Sequence, residues 1–140
     1  MKDQLRLIAV KVRETIETID PNLFPEECQL RNTFPNGACG DSSMLLGKLL
    51  LDNFDVDCDY VCGSSLLEGH EQETHAWLGY KGYKVDITAD QFDQIKDKAI
   101  VEQSHFLYDD YGENSRKRIS ESFPDELISS YEIIKNRIYI

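Results

Sequence analysis

Residues 74–88 have the sequence THAWLGYKGYKVDIT, which predicts strands over 74–80 and 83–88 joined by a two-residue turn at Lys81-Gly82. The turn sets a register that pairs Tyr80 with Tyr83, Leu78 with Val85, Trp77 with Asp86 and His75 with Thr88. His75 and Asp86 then lie on one face as diagonal neighbours, roughly 7–8 Å apart between backbones and within side-chain reach. A slip of one residue would separate them onto opposite faces, so this pairing is a specific geometric condition.

The two faces of the predicted hairpin differ in chemistry. We expect one face to pack on the core, since it carries Ala76, Leu78, Tyr80, Tyr83, Val85 and Ile87. The opposite face carries His75, Trp77, Asp86 and Thr88, and we expect it to be the polar side. A histidine that shares a strand face with an aspartate is typical of an oriented general base.

Residues 36–43, NGACGDSS, deliver Cys39 to the start of a strongly apolar helix predicted over 39–52. A thiol in the first turn of a helix is close to the positive end of the dipole and to unpaired backbone amides, and both favour the thiolate. The thiolate is the nucleophilic form of cysteine, and the same amides suit an oxyanion formed on attack. Cys39 is therefore the candidate nucleophile.

The rest of the chain predicts an α+β domain with an antiparallel sheet, a single domain over residues 1–140. Apolar residues at helical spacing predict an N-terminal helix over 3–19. Alternating residues over 54–62 predict a strand, and residues 99–102 predict another. Long polar stretches predict loops over 21–38, 63–73 and 103–121, with a short helical turn within 89–98. A last helix is predicted over 122–138, capped by Ser122 with Pro124 in its first turn.

Composition narrows the classes of partner. The chain has 140 residues and a formal net charge of −11, which argues against nucleic acid and against an anionic membrane surface. No apolar stretch approaches the roughly 20 residues of a membrane span. The N-terminal apolar run is only LIAV, so we expect no signal peptide and a cytoplasmic location.

The cysteines give little support to a metal site. Cys28, Cys39, Cys58 and Cys62 form no CxxC pair, and we expect reduced thiols rather than disulfides. A site built from Cys39, Cys58, Cys62 and His75 is an alternative, but its spacing matches no common zinc pattern. We therefore expect neither a metal nor another cofactor.

The chain order of cysteine, histidine and aspartate resembles that of the papain-like cysteine enzymes, and most closely their transglutaminase-like branch. The shared motifs are His75-Ala76-Trp77 on a strand, Gly82 near the turn, and Asp86-Ile87-Thr88 on the next strand. Residues 40–43 and 86–92 also resemble small uncharacterised bacterial members of that branch. The resemblance covers residues 34–92, which is less than half of the chain.

This resemblance implies a papain-like or transglutaminase-like fold, with N-terminal helices packed on an antiparallel sheet and a C-terminal helix. It implies a cysteine-dependent hydrolase or acyltransferase that acts on an amide, peptide or isopeptide bond of a protein, peptide or other amide substrate. Cys39 would attack, His75 would move the proton and Asp86 would orient His75. The candidates for the oxyanion hole or for substrate contact are Asn36, Gly40, Trp77 and Gln91.

Two further points remain open in the sequence. Family members usually supply an oxyanion-hole side chain upstream of the cysteine, and Gln29, Asn32 and Asn36 are all candidates. The alternative function is a binding or scaffold domain that keeps this fold without turnover. A broken triad would favour that alternative, whereas all three residue types are present here.

Overall fold

A computed structural model describes residues 1–139 of the chain. Within that range, the α-helices are α1 (Lys2–Thr18), α2 (Cys39–Phe54), α3 (Phe106–Asp109), α4 (Ile119–Ser122) and α5 (Ile128–Lys135). The strands are β1 (Asp59–Ser65), β2 (Thr74–Tyr80), β3 (Tyr83–Asp86), β4 (Ile100–Glu102) and β5 (Tyr111–Arg118). All pair antiparallel in one sheet of order β4-β3-β2-β1-β5. The predicted α+β class and antiparallel sheet are confirmed.

One face of the sheet carries the main hydrophobic core, which contains residues from α1, α2 and α5. Val12 of α1, Leu49 of α2 and Leu78 of β2 are completely buried there. Helix α1 agrees with its prediction to within one residue at each end. Helix α2 begins at Cys39 as predicted and ends two residues later than predicted. None of the helices in residues 1–139 is both long and apolar enough to cross a lipid bilayer.

The central hairpin forms as the sequence predicts around its turn. Lys81 and Gly82 both have positive φ, at 48° and 85°, which is the geometry of a tight two-residue hairpin turn. The ladder pairs Tyr80 with Tyr83 and Leu78 with Val85, as predicted. The ladder goes no further, and β3 ends at Asp86 rather than at residue 88. The face predicted to pack on the core does so.

The opposite face of the hairpin is buried too, so its prediction as the polar side was wrong. His75, Trp77, Asp86 and Thr88 are each 5% exposed or less. A second hydrophobic cluster covers this face with side chains from residues 89–111, among them Ile95, Leu107 and Tyr108. The sequence obscured this layer because these few apolar side chains are spread through a largely polar stretch.

The strand predicted over 54–62 starts later than expected. Helix α2 continues through Phe54 and ends at Asp55, whose left-handed φ of 55° allows its N–H to bond the carbonyls of Leu50 and Leu51. The chain then turns, and β1 begins only at Asp59 and extends through Ser65 into the predicted loop. Alternating apolar residues at 54 and 56 therefore belong to a helix end and its exit, not to a strand.

The stretch predicted as loop over 103–121 contains α3, β5 and the start of α4. Strand β5 lies at the sheet edge and has mostly exposed residues, so its sequence YGENSRKR shows no apolar alternation. The last helix was also placed too early. Ser122 ends α4 instead of capping the final helix, and α5 begins at Ile128, because Phe123 and Pro124 are extended.

Candidate active site

A buried histidine–carboxylate pair lies where β2 and β3 diverge beyond the hairpin ladder. His75 Nε2 is 2.6 Å from Asp86 Oδ2, and both side chains have no exposed surface. The backbone N–H of Thr88 donates to Asp86 Oδ1 at 2.9 Å, and the Thr88 hydroxyl lies 3.4 Å from the same oxygen. The Tyr108 hydroxyl donates to Oδ2 at 2.8 Å. Several donors therefore hold the Asp86 carboxylate in one orientation.

The second nitrogen of the imidazole is left available. Nδ1 of His75 is buried and has no hydrogen-bond partner within residues 1–139. Aromatic rings surround the imidazole, with centroids 5.0 to 6.4 Å from it, and they belong to Trp77, Phe92, Tyr108 and Tyr111. These rings and the hydrogen bond between Nε2 and Asp86 together hold the imidazole in one orientation.

The electrostatics of the pair favour two charges. Burial alone would lower the pKa of His75, but the charge and hydrogen bond of Asp86, together with an interaction with Cys39, raise it to about 9. Burial alone would raise the pKa of Asp86, yet the positive charge of His75 and the hydrogen bonds to the carboxylate lower it. Each partner therefore favours the charged form of the other.

Cys39 is the first residue of α2 and is partly exposed. Its thiol lies near enough to His75 to contribute to the raised pKa of the imidazole, although no hydrogen bond of ordinary geometry joins the sulfur to the ring. Because Asp86 engages Nε2, Nδ1 is the nitrogen left to accept or donate a proton toward Cys39. The structure thus brings the three predicted triad residues together.

Gln29 is tied to the first turn of the cysteine helix. Its backbone N–H donates to Asp41 Oδ2 at 2.8 Å, and its side-chain Oε1 accepts the Asp41 N–H at 3.0 Å. With Oε1 used in this way, the Nε2 donor stays available beside Gly40. A β-carbon on Gly40 would lie only 3.0 Å from the Tyr60 hydroxyl and 3.3 Å from Gln29 Oε1. Gly40 therefore allows the close approach of Gln29 to the helix start.

The other candidates occupy different positions around the site. Asn36 is exposed, and its backbone N–H bonds Thr33 in a turn before the cysteine. Gln91 accepts from the Gly37 N–H and donates to the Thr88 hydroxyl, both at 3.4 Å, so it links the cysteine loop to the Asp86 loop. Trp77 is 5% exposed and packs on the His75 side of the sheet. It supports the imidazole from within the fold.

Two of the remaining thiols are more buried than Cys39. Cys28 and Cys58 are buried, and burial raises the pKa of both, that of Cys58 to about 12 with help from the charges of Asp57 and Asp59. Cys62 is partly buried. Across residues 1–139, no three histidine, cysteine, aspartate or glutamate side chains are grouped so that they could hold a metal ion.

Tyr108 is the site residue that sequence reasoning missed. It lies in α3, within the stretch predicted as loop, yet its hydroxyl contacts Asp86 directly. Tyr111 in the same predicted loop, and Phe92 in the polar stretch 89–98, were also missed as neighbours of His75. The available signal was an aromatic residue in an otherwise polar segment, which indicates burial without indicating against what.

Comparisons of the chain with protein-family models, with curated proteins and with solved structures give no significant match.

Proposed function

We propose that this protein is a cysteine-dependent hydrolase or acyltransferase that acts on an amide, peptide or isopeptide bond through Cys39, His75 and Asp86. The observation that carries the proposal is the buried 2.6 Å contact between His75 and Asp86, with the free Nδ1 available to a cysteine at a helix start. Such a constellation activates a thiol by proton transfer and holds the resulting imidazolium in place.

The first half of the reaction forms a thioester. The Cys39 sulfur attacks the substrate carbonyl carbon, and the π electrons move onto the carbonyl oxygen as His75 holds the proton of the thiol. The tetrahedral intermediate then collapses, the carbon–nitrogen bond breaks, and the departing amine takes the proton from His75 Nδ1. Asp86 stabilises the imidazolium through Nε2 throughout this step.

The second half regenerates the enzyme. Water or an amine attacks the thioester carbonyl while His75 Nδ1 accepts a proton from the attacking group. The carbon–sulfur bond then breaks, and His75 Nδ1 returns the proton to the sulfur. Water gives hydrolysis and an amine gives transfer, so the same residues serve both outcomes.

The oxyanion can be stabilised by donors at the start of α2. The first N–H groups of a helix lack partners within the helix, so those of Cys39 and Gly40, the first two residues of α2, are candidate donors. We include Gln29 Nε2 as a side-chain donor, because Asp41 fixes the amide by bonding its oxygen. All three upstream candidates are exposed, and the contacts with Asp41 favour Gln29 over Asn32 and Asn36.

We also propose that the fold is of the transglutaminase-like type. The supporting features are a cysteine that opens a helix packed on an antiparallel sheet, and a histidine and an aspartate on neighbouring strands of that sheet. The order of these three residues in the chain is that of the family.

The test uses p-nitrophenyl acetate, because an activated ester reports on an acylated cysteine without knowledge of the natural substrate. We expect a burst of p-nitrophenolate, acetylation of Cys39 that hydroxylamine reverses, and slow turnover. Cys39→Ala should abolish all three, while Cys62→Ala, which removes another partly buried thiol, should retain them. Faster turnover on addition of methylamine would identify an acyltransferase.

Equal rates of ester cleavage by the wild type and Cys39→Ala would overturn the proposal. In that case the chain is better described as a binding or scaffold domain that contains Cys39, His75 and Asp86 but does not catalyse a reaction.

A further inference from the structure

Tyr108 forms a contact that a three-residue site does not require. Its hydroxyl is 2.8 Å from Asp86 Oδ2, and the same oxygen lies 2.6 Å from Nε2 of His75. Tyr108 is 5% exposed, and its ring packs on Trp77 at 5.0 Å between centroids. The ring therefore directs the hydroxyl at the carboxylate from a fixed position.

The Asp86 carboxylate cannot avoid this contact by rotation. Thr88 engages Oδ1 through its backbone N–H and lies close with its hydroxyl, so Oδ2 is left to serve two donors, the imidazole and the phenol. A carboxylate oxygen that accepts two hydrogen bonds shares its negative charge between them, so each bond is weaker than it would be alone.

We propose that Tyr108 is a positioning residue whose hydroxyl shares Asp86 Oδ2 with His75 and so limits the strength of the hydrogen bond between carboxylate and imidazole. Its catalytic meaning rests on the proposed function. If the bond between Asp86 and His75 were stronger, the imidazolium would release its proton to a leaving amine less readily. Tyr108 would thus keep His75 able to give up its proton as well as to take one.

The hydroxyl remains a donor over the whole working range of pH. Burial, followed by the charge of Asp86 and its hydrogen bond, raises the pKa of Tyr108 above its ordinary value. The hydrogen bond from Tyr108 also contributes to the lowered pKa of Asp86.

Other titratable and charged groups adjoin the pair or Tyr108, and the test must separate them from Tyr108. They are Cys39 at the start of α2, Tyr111 of β5 beside His75, His105 beside Tyr108, and Arg13 of α1, which is bound to the Ile87 carbonyl and to Asp90. Glu73 and Asp110 act on Tyr111 rather than on the pair. Tyr111→Phe is therefore the matched control, since it removes a hydroxyl from another ring around the same imidazole.

The experiment is proton and nitrogen NMR of His75 during a pH titration of the wild type, Tyr108→Phe and Tyr111→Phe. In Tyr108→Phe we expect the Nε2 proton resonance to move downfield, because Oδ2 then serves the imidazole alone. The imidazolium should also bind its proton about threefold to tenfold more tightly, the equivalent of one ordinary hydrogen bond. Tyr111→Phe should leave the resonance at its wild-type position.

Two outcomes for Tyr108→Phe would overturn the inference. One is an unchanged Nε2 resonance and titration, and the other is an upfield shift with weaker proton binding, which would indicate a merely structural role. Should Tyr108→Phe fail to fold, 3-fluorotyrosine at position 108 provides the second measurement. Its more acidic hydroxyl should move the resonance upfield, and no movement would contradict the proposal.

The readout is independent of the proposed enzymatic activity. If p-nitrophenyl acetate is not cleaved through Cys39 but the His75 resonance moves as expected, the proposed function fails. The inference that Tyr108 and His75 share Asp86 Oδ2 then still stands. If Cys39 is acylated and the resonance does not move, the proposed function stands and Tyr108 has no positioning role.

Discussion

At Asp86, a single buried carboxylate receives donors from a strand, a turn and a short helix. His75, Thr88 and Tyr108 all contact it, so the negative charge is stabilised without solvent. This charge and its hydrogen bond are what keep the pKa of His75 high in spite of burial. The chemistry of the site therefore depends on the charge at position 86 and not only on a group of the right shape.

Asp86→Asn removes that charge while keeping nearly the same shape. We expect the pKa of His75 to fall, so the pH range over which protonated His75 faces an ionised Cys39 should lose its alkaline end. The measurement is the rate of Cys39 alkylation by iodoacetamide as a function of pH, which needs no natural substrate. The matched control is Asp93→Asn, an exposed carboxylate in the same region, which should behave as wild type. A profile that Asp86→Asn leaves unchanged would remove Asp86 from the site.

At the scale of single residues, the alternation of side chains along a strand made it predictable that His75 and Asp86 share one face of the hairpin. Side chains alternate along a strand, and one tight turn fixes the register, so their common face followed from the sequence alone. Tyr108 was not predictable, since no local pattern connects a residue in a four-residue helix to a carboxylate 22 positions earlier. Its contact depends on how residues 89–111 fold over the sheet.

At the scale of elements, Arg13 joins α1 to the loops that carry the site. Its guanidinium donates to both Asp90 oxygens at 2.7 and 2.9 Å and to the Ile87 carbonyl at 2.8 Å, next in the chain to Asp86. It also lies 4.8 Å above the ring of Phe34, in the loop that leads to Cys39. One buried side chain thus connects the segment before Cys39 with the segment after Asp86.

Arg13→Ala should destabilise the fold by about 3–5 kcal/mol, because it leaves Asp90 with an uncompensated charge in a largely buried position. Urea unfolding followed by circular dichroism would measure this loss. Arg6→Ala is the control on the same helix, since its ion pair with Glu102 is about 40% exposed and should be worth about 1 kcal/mol or less. Equal losses of stability in the two variants would show that Arg13 does not hold α1 and the site loops together.

Helices α1 and α2, which bury an apolar stripe, were predictable, whereas strand β5 at one edge of the sheet was not. Strand β5 is held by backbone hydrogen bonds to β1 and by ion pairs such as Arg116 with Asp59, and neither leaves an apolar period in the sequence. The two additional residues of α2 and its cap at Asp55 depend on a left-handed residue that is not glycine, which sequence patterns rarely reveal.

At the scale of the whole molecule, the buried pair should make stability depend on pH. The pKa of His75 is raised from 6.5 to about 9 in the folded protein, so its contribution is complete below about pH 6.5 and is lost as pH rises through 9. The loss is on the order of 3 kcal/mol. Asp86 has a lowered pKa, so its contribution is present above its ordinary value of 3.8 and is lost on acidification.

The free energy of unfolding should therefore decline between pH 6.5 and pH 9 more steeply in the wild type than in His75→Gln. Glutamine can still donate to Asp86 Oδ2 but does not titrate, so the difference between the two proteins isolates the imidazole. Urea unfolding at several pH values measures it. Parallel curves for the two proteins would show that the charged pair does not stabilise the fold.

The central claim is that His75 activates Cys39, and the most direct measurement is site-resolved alkylation at pH 6. Limiting iodoacetamide, followed by peptide mapping, gives the rate for each of the four cysteines in the wild type and in His75→Gln. We predict that Cys39 reacts about tenfold or more faster than Cys62, Cys28 and Cys58, and that His75→Gln removes this advantage. If another cysteine reacts first, or if Cys39 keeps its rate without His75, the claim is contradicted.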